Sequence, residues 1–131
     1  MKKKLLIVAS NYYKQITQNL INGSLKNFKN DKNKISIIKV PGTFEIPVII
    51  SKNLRKYDGF IALGCVIKGE TPHFDFICSS TFISLLNLST TSKKHISNGI
   101  ITALNMKQAK KRSLIKGQEA AIAIKEVLKY D

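Results

Sequence analysis

The 131-residue chain has the length of one globular domain, and its 44% hydrophobic content is enough to fill a core. Its formal net charge of +14, from 22 Lys+Arg against 8 Asp+Glu, first suggests a polyanionic partner such as nucleic acid or an acidic membrane surface. Only Arg55 and Arg112 are arginines, whereas bidentate recognition of phosphate or guanine favours arginine. The lysine excess therefore favours a chain-wide drift in composition over one selected basic surface.

Neither a membrane protein nor a metal-binding protein is predicted. No apolar run approaches the ~20 residues that span a bilayer, and the apolar stretch after the basic start, Leu5 to Ala9, is too short for a signal peptide. Cys65 and Cys78 have neither CxxC spacing nor neighbouring histidine pairs, so neither a zinc site nor a disulfide framework is expected. We predict two reduced thiols in a cytoplasmic protein.

The first half of the chain alternates between strand-length apolar runs and segments with helical periodicity. Lys4 to Ala9 predicts a strand buried on both faces, because its apolar residues are continuous. Tyr13 to about Phe28 predicts a helix, whose apolar positions recur every three or four residues. A polar loop, 29–34, leads to a second strand, Ile35 to Val40, which ends at Pro41-Gly42.

The same alternation continues to the end of the chain. Glu45 to Lys56 predicts a short helix, in which Pro47 is tolerated because the first turn needs no donor there. Phe60 to Ile67 predicts a third buried strand. His73 to about Lys93 predicts a helix with one apolar face, made of Phe74, Ile77, Cys78, Phe82, Leu85 and Leu86. The last predicted elements are a strand, Ile96 to about Leu104, and two helices, about Asn105 to Arg112 and Gln118 to Lys129.

This β-α-β-α-β-α-β-α-α order predicts an α/β fold in one domain, 1–131. Crossovers of this length imply a four-stranded parallel sheet with helices on both faces. In such folds ligands bind beyond the carboxyl ends of the strands. The candidate site segments are therefore Ser10 to Tyr13, Pro41 to Glu45, Lys68 to His73, and the stretch from about Thr102 onward.

The residues that follow the first two strands can be interpreted either as ligand contacts or as structural residues. Tyr12 or Tyr13 could stack on a flat ligand, or the two rings could simply fix a strand-to-helix corner. Glu45 stands at a predicted helix start, where backbone donors can bind an acceptor-rich ligand, but a carboxylate there also complements the helix dipole.

The third strand end is the richest in chemistry. Lys68 and Thr71, with free backbone donors at the start of a helix, could form a phosphate cradle. His73 lies where a proton-transfer group would be useful, because an imidazole titrates near neutral pH, although a lone histidine is more often structural. No GxxxxGK[ST] or GxGxxG sequence occurs, so nucleoside triphosphate and dinucleotide sites are not predicted.

A basic run, 107–112, follows the fourth strand. Its three lysines are typical of a solvated helix face. Arg112 differs from them, because a guanidinium in a chain so poor in arginine suggests bidentate recognition of a phosphate or carboxylate.

Two blocks at these strand ends resemble the 6,7-dimethyl-8-ribityllumazine synthase family. Residues 41–47, PGTFEIP, resemble the family's PGAxEIP, and residues 64–75, GCVIKGETPHFD, resemble its G-x-V-I-[RK]-G-x-T-x-H-[FY]-[DE]. Further likenesses are Tyr12, the NGIIT of 98–102, Gln108-Ala109 with Arg112, and Lys116-Gly117. The resemblance covers nearly the whole chain and implies a flavodoxin-like three-layer sandwich.

The resemblance also implies roles toward two substrates. For 5-amino-6-(D-ribitylamino)uracil, Tyr12 matches the aromatic stacked on the pyrimidine, and the pyrimidine pocket is lined by Cys65, Val66 and Ile67; the ribityl chain is held by Thr43, Phe44 and Glu45. For 3,4-dihydroxy-2-butanone 4-phosphate, the phosphate is bound by Gly69, Glu70 and Thr71, with Arg112 as charged partner. His73 matches the proton-transfer residue, Lys116 a site lysine, and Asn98 a position supplied by the neighbouring subunit.

The implied reaction condenses the two substrates to 6,7-dimethyl-8-ribityllumazine with neither metal nor organic cofactor. The implied partners are further copies of the chain, with active sites between subunits, and riboflavin synthase as a candidate. Residues 113–115 form a shorter link than in family members that build sixty-subunit capsids, so we predict a pentamer. Tyr13 and Asn98 stand where many members have Asn and Phe. The alternatives are a non-catalytic lumazine- or flavin-binding relative and a basic nucleic-acid-binding module.

Overall fold

The computed structural model describes residues 2–131. Its strands are β1 (Lys4–Ser10), β2 (Lys34–Val40), β3 (Gly59–Ile67) and β4 (Ile96–Ala103). Its α-helices are α1 (Lys14–Lys26), α2 (Ile46–Asn53), α3 (His73–Ser92), α4 (Met106–Ser113) and α5 (Lys116–Leu128), and a 3-10 turn, Thr43–Glu45, precedes α2. Every predicted strand and helix is therefore present, with boundaries shifted by a few residues.

The four strands form one parallel sheet in the order β2-β1-β3-β4. Helices α1, α4 and α5 cover one face, and α2 and α3 cover the other. This confirms the predicted three-layer, flavodoxin-like α/β fold. The strand order reverses beside β1, since the chain goes from β1 to β2 on one side and then crosses to β3 on the other.

The two central strands form the middle of the core. In β1, residues 5–9 have no exposed surface, and in β3 the same is true of residues 60–63. Burying a Leu, Ile or Phe side chain contributes about 1.5–3 kcal/mol, so these two strands provide much of the folding free energy. Both strands lie in the middle of the sheet, and helices cover both of their faces. Their continuous apolar sequence predicts this burial. Within residues 2–131, no helix has the combination of length and apolar character needed to cross a bilayer.

Helix α5 begins at Lys116, two residues earlier than the predicted start at Gln118. Gly117 is inside this helix, although a glycine usually marks a helix end or a turn. Its backbone lies against α1, where the Ser24 hydroxyl donates a hydrogen bond of 2.9 Å to the Gly117 carbonyl. A Cβ at this position would be 2.1 Å from the Leu20 carbonyl oxygen. Glycine is therefore required by the close packing of two helices rather than by a turn.

Gly117→Ala is expected to destabilise the protein by about 2 kcal/mol, because the added methyl group forces α5 away from the α1 backbone. Chemical denaturation followed by circular dichroism measures this change. Gly69→Ala is the matched control, since its Cβ would meet no atom within 4 Å. An unchanged denaturation midpoint in Gly117→Ala would contradict the close approach of the two helices.

One residue of the predicted apolar face of α3 is exposed. Leu86 has 65% of its surface accessible, whereas Leu85 is buried against the sheet. Phe76 and Ile83 are also exposed, and with Leu86 they follow the 7- and 10-residue spacing of a second helix face. The prediction for Leu86 is wrong because α3 is apolar on two sides, and periodicity does not distinguish the side that faces the sheet.

Candidate active site

A cavity of about 330 Å³ lies beyond the carboxyl ends of β1 and β3. These ends meet where the strand order reverses, which is the position where doubly wound sheets bind ligands. Seven of the predicted site residues line the cavity: Tyr12, Thr43, Phe44, Cys65, Val66, Ile67 and His73. Four separate stretches of sequence therefore come together at one place.

Gly64 allows the turn after β2 to close on β3. A Cβ on Gly64 would be 3.2 Å from the Thr43 hydroxyl oxygen and 3.1 Å from the Ser10 Cβ. Thr43 is buried in this contact. The adjacent Phe44 remains 63% exposed at the cavity wall, so the turn presents an aromatic surface on a fixed backbone.

Two tyrosines form another side of the cavity. Tyr12 is 72% exposed, and its ring lies edge to face with that of Tyr13, with centroids 4.9 Å apart and planes at 80°. Tyr13 packs against the buried core between α1 and the sheet. Burial raises the pKa of the Tyr13 phenol, and the nearby Cys65 and Tyr12 raise it further. An exposed aromatic face is thus held beside the cavity by a partly buried partner.

His73 is the first residue of α3 and has an exposed side chain at the cavity. Its backbone N–H donates to the Thr71 hydroxyl at 3.4 Å, and the preceding loop is joined to β4 by a 2.9 Å bond from the Lys68 N–H to the Ala103 carbonyl. The exposed imidazole can therefore contact a ligand while His73 remains in the first turn of α3. This position suits proton transfer to and from a bound molecule.

The predicted phosphate loop is next to His73 but is not part of the cavity wall. Gly69, Glu70 and Thr71 are all exposed in the β3–α3 connection. They leave backbone groups and the Thr71 hydroxyl available to an anion at the same edge of the sheet.

Glu45 lines an adjoining cavity of about 490 Å³ between α2 and α3. Phe44 lines both cavities, so a long ligand could pass from one to the other along its ring. Glu45 folds back over the Pro41-Gly42 turn, where a Cβ on Gly42 would be 3.1 Å from its Oε1 atom. A carboxylate here is suited to accept hydrogen bonds from hydroxyl groups.

The remaining predicted residues are not brought to His73 within one chain. Arg112 lines a separate cavity of about 370 Å³ at the end of β4, together with Lys111 and Thr102. Asn98 is exposed on the edge strand β4, and its side-chain oxygen accepts from the Ile100 N–H at 3.0 Å. Lys116 begins α5. None of the ion pairs within residues 2–131 involves Arg112, so its charge is available to a ligand.

Three residues of the His73 cavity were not assigned a role in the site from the sequence. Tyr13, Gly42 and Ile77 line it with the predicted seven. Ile77 could have been found from its position four residues after His73, which puts both on one face of α3. Gly42 is inside the PGTFEIP block, and Tyr13 was considered beside Tyr12 as a stacking aromatic and noted as a departure from the family pattern.

The Cys65 thiol is buried in the cavity wall, and burial raises its pKa to about 11. Burial, with a contribution from Asp75, also raises the pKa of Cys78. With a pKa of about 11, Cys65 is about 0.1% thiolate at pH 8, so neither nucleophilic catalysis nor fast alkylation is expected of Cys65. Within residues 2–131, no three His, Cys, Asp or Glu side chains are grouped as a metal site would need.

Iodoacetamide is therefore expected to modify Cys65 slowly in the folded protein at pH 8, with a rate that rises as pH approaches 11. Mass spectrometry of the alkylated peptides measures the rate, and the urea-unfolded chain is the control. Equal rates in the folded and unfolded protein would contradict a buried, protonated thiol.

The fold and this site define an α/β protein that binds small molecules at the switch point of a parallel sheet. The chain belongs to the 6,7-dimethyl-8-ribityllumazine synthase family, whose sequence model matches residues 2–131. It is 42% identical to the 6,7-dimethyl-8-ribityllumazine synthase of Buchnera aphidicola subsp. Baizongia pistaciae, over 97% of this chain and 86% of that protein. Enzymes of the same name from Limosilactobacillus reuteri and Nitratidesulfovibrio vulgaris are 38% and 36% identical, over 93% and 96% of this chain and 83% and 86% of their own lengths.

Proposed function

We propose that this chain is an enzyme that condenses 5-amino-6-(D-ribitylamino)uracil with 3,4-dihydroxy-2-butanone 4-phosphate to 6,7-dimethyl-8-ribityllumazine. The observation that carries the proposal is the His73 cavity, which is lined by Tyr12 and by residues of both family motifs. Membership of the family agrees with this activity. Residues 1–131 then form one catalytic domain.

The cavity offers a suitable environment for each part of the uracil substrate. Tyr12 has an exposed ring that can stack on the pyrimidine, and residues 65–67 line the same cavity. The ribityl chain then follows Thr43 and Phe44 toward Glu45, which accepts hydrogen bonds from its hydroxyl groups. The cavity and its neighbour share Phe44, which supports this path.

The chemistry requires proton movement at the end where His73 lies. The uracil amine attacks the ketone and water is lost, phosphate then leaves the butanone carbon chain, and ring closure with loss of a second water gives the lumazine. His73 transfers protons during these steps, while the 69–71 loop holds the phosphate. No step needs a covalent enzyme nucleophile, in agreement with the raised pKa of Cys65.

We further propose that each active site is completed by a second copy of the chain. Arg112 lines a cavity separate from that of His73, although the family resemblance gives both residues to one site. A neighbouring copy that supplies Arg112, Lys116 and Asn98 would resolve this separation. The exposed apolar residues Phe76, Ile83 and Leu86 of α3 are consistent with burial between subunits.

Among such assemblies we propose a pentamer in the cytoplasm, with riboflavin synthase as a candidate partner. The short 113–115 link supports the pentamer over a capsid, and the two free cysteines support a reducing compartment. Multi-angle light scattering of the purified protein, at low and high salt because each chain carries a formal charge of +14, measures the particle mass. A mass near five chains is expected, and a megadalton particle would exclude the pentamer.

The direct test of the activity is to mix the two substrates with the purified protein. Lumazine absorbance and phosphate release should rise together, well above the slow uncatalysed condensation. A protein that binds lumazine but releases no phosphate above this background would instead be the non-catalytic relative.

A further inference from the structure

The strand-to-helix turn after β1 carries two aromatic rings, of which only Tyr12 has an assigned role. The Tyr12 ring is 72% exposed, so few contacts with the rest of the chain can fix its orientation. The Tyr13 ring meets it edge to face at 4.9 Å, and Tyr13 also lines the His73 cavity. Edge-to-face geometry is the favourable arrangement for two aromatic quadrupoles.

Tyr13 also stands at a position where another residue type would better serve the helix. It is the residue before α1, with extended backbone angles (φ −106°, ψ 93°), and its side chain makes no capping hydrogen bond. Asn, Ser or Asp at this position could accept a hydrogen bond from a free N–H of the first turn. A tyrosine gives up that stabilising contact, so its ring must be explained by what it touches.

The contacts of Tyr13 point both to the core and to the site. One part of the side chain packs against the core cluster that includes Ile16 and Cys65, and the ring reaches Tyr12. A partly buried ring that is held in place by the core can limit the orientations of an exposed ring beside it. Aromatic pairs of this kind contribute beyond simple burial of surface.

We propose that Tyr13 is a positioning residue, whose ring fixes Tyr12 in the orientation that stacks on the pyrimidine of the substrate and product. The inference rests on the proposed function and deepens it. It assigns the work to the aromatic ring of Tyr13 rather than to its hydroxyl. Substrate that binds to a pre-oriented Tyr12 does not have to order that ring itself, so its affinity is higher.

The test compares Tyr13→Asn, which removes the ring and introduces a possible capping group, with Tyr13→Phe, which keeps the ring but removes the hydroxyl. Tyr13→Asn should raise the KM for the uracil substrate and the Kd for 6,7-dimethyl-8-ribityllumazine by about 3- to 10-fold. The KM for the butanone phosphate should stay unchanged, and Tyr13→Phe should bind like the wild type. Lumazine fluorescence titration gives the Kd, and circular dichroism confirms that each variant is folded.

The outcomes separate this inference from the proposed function. If the wild type forms lumazine but Tyr13→Asn binds it with unchanged affinity, the positioning role is wrong and the activity stands. If Tyr13→Phe loses as much affinity as Tyr13→Asn, the hydroxyl is the active group and the inference is again wrong. If Tyr13→Asn does not fold, the affinity of Tyr13→Leu decides, because it keeps apolar volume without an aromatic edge. A wild type that neither binds nor forms lumazine would overturn both proposals.

Discussion

His73→Ala is expected to lower kcat about 100-fold, near the lower end of the range for loss of a general acid–base group, because the condensation also proceeds slowly without a catalyst. The two KM values should change little, since the substrate contacts proposed above come from residues other than His73. Steady-state kinetics with each substrate varied in turn measures both effects.

The control for this variant is the only other histidine in the chain. His95 precedes β4, where its backbone carbonyl accepts a 3.0 Å hydrogen bond from the Phe60 N–H at the amino ends of the strands. Burial lowers the pKa of His95 and so favours its neutral form. His95→Gln should keep the wild-type kcat. A His73→Ala enzyme with unchanged kcat and a raised KM would show that His73 binds substrate without transferring protons.

Arg112→Ala is expected to raise the KM for the butanone phosphate about 10- to 100-fold, the loss typical of a charge-assisted hydrogen bond to an anion. The KM for the uracil substrate should not change, because that substrate carries no phosphate. Arg112→Lys should recover part of the affinity, since a lysine keeps the charge but not the bidentate geometry. Initial rates measured over a range of each substrate give the two KM values.

Arg55→Ala is the matched control, because Arg55 is the only other arginine and lies on an exposed surface after α2. It removes the same charge from the chain and should leave both KM values unchanged. An equal rise in both KM values for Arg112→Ala would contradict a specific contact with the phosphate. An effect of the same size in Arg55→Ala would indicate a general attraction between a basic protein and an anionic substrate.

The two impaired variants can also be combined in one assembly, with activity measured at a butanone phosphate concentration below the KM of Arg112→Ala. If His73 and Arg112 of different subunits share one active site, random co-assembly of His73→Ala with Arg112→Ala chains restores some sites with both native residues. About a quarter of the sites should then be native, as random pairing at a repeated interface predicts. Denaturing and refolding the mixed chains together allows the exchange, and the separately refolded variants are the control. No recovery of activity would show that each site lies within one chain.

Much of the fold could be predicted from the sequence because the relevant signals are local. A continuous apolar run such as residues 60–67 is compatible with a strand covered on both faces, and alternation with helical segments requires parallel crossovers. The helix boundaries were less certain. Gly117 resembled a break between helices, but it is inside α5, where its missing side chain accommodates the α1 backbone.

The candidate site was only partly predictable, because its composition also depends on packing between distant parts of the chain. Residues at strand ends could be named in advance, and seven of them line the His73 cavity. Tyr13 was named only as an alternative to Tyr12, and Ile77 only as part of the apolar face of α3. Whether they line the cavity depends on how the β1–α1 turn and α3 face the sheet. Arg112 was named, yet it lines a different cavity within the chain.

By itself the sequence determined the elements, the parallel sheet and the chemistry available at each strand end, since these follow from periodicity, residue type and spacing. Only the tertiary structure decided that the ends of β1 and β3 adjoin, that Tyr13 rests on the core while Tyr12 is exposed, and that one face of α3 remains uncovered. These features arise from strand order and helix rotation. Both are fixed by packing between residues far apart in the chain, which no local pattern specifies.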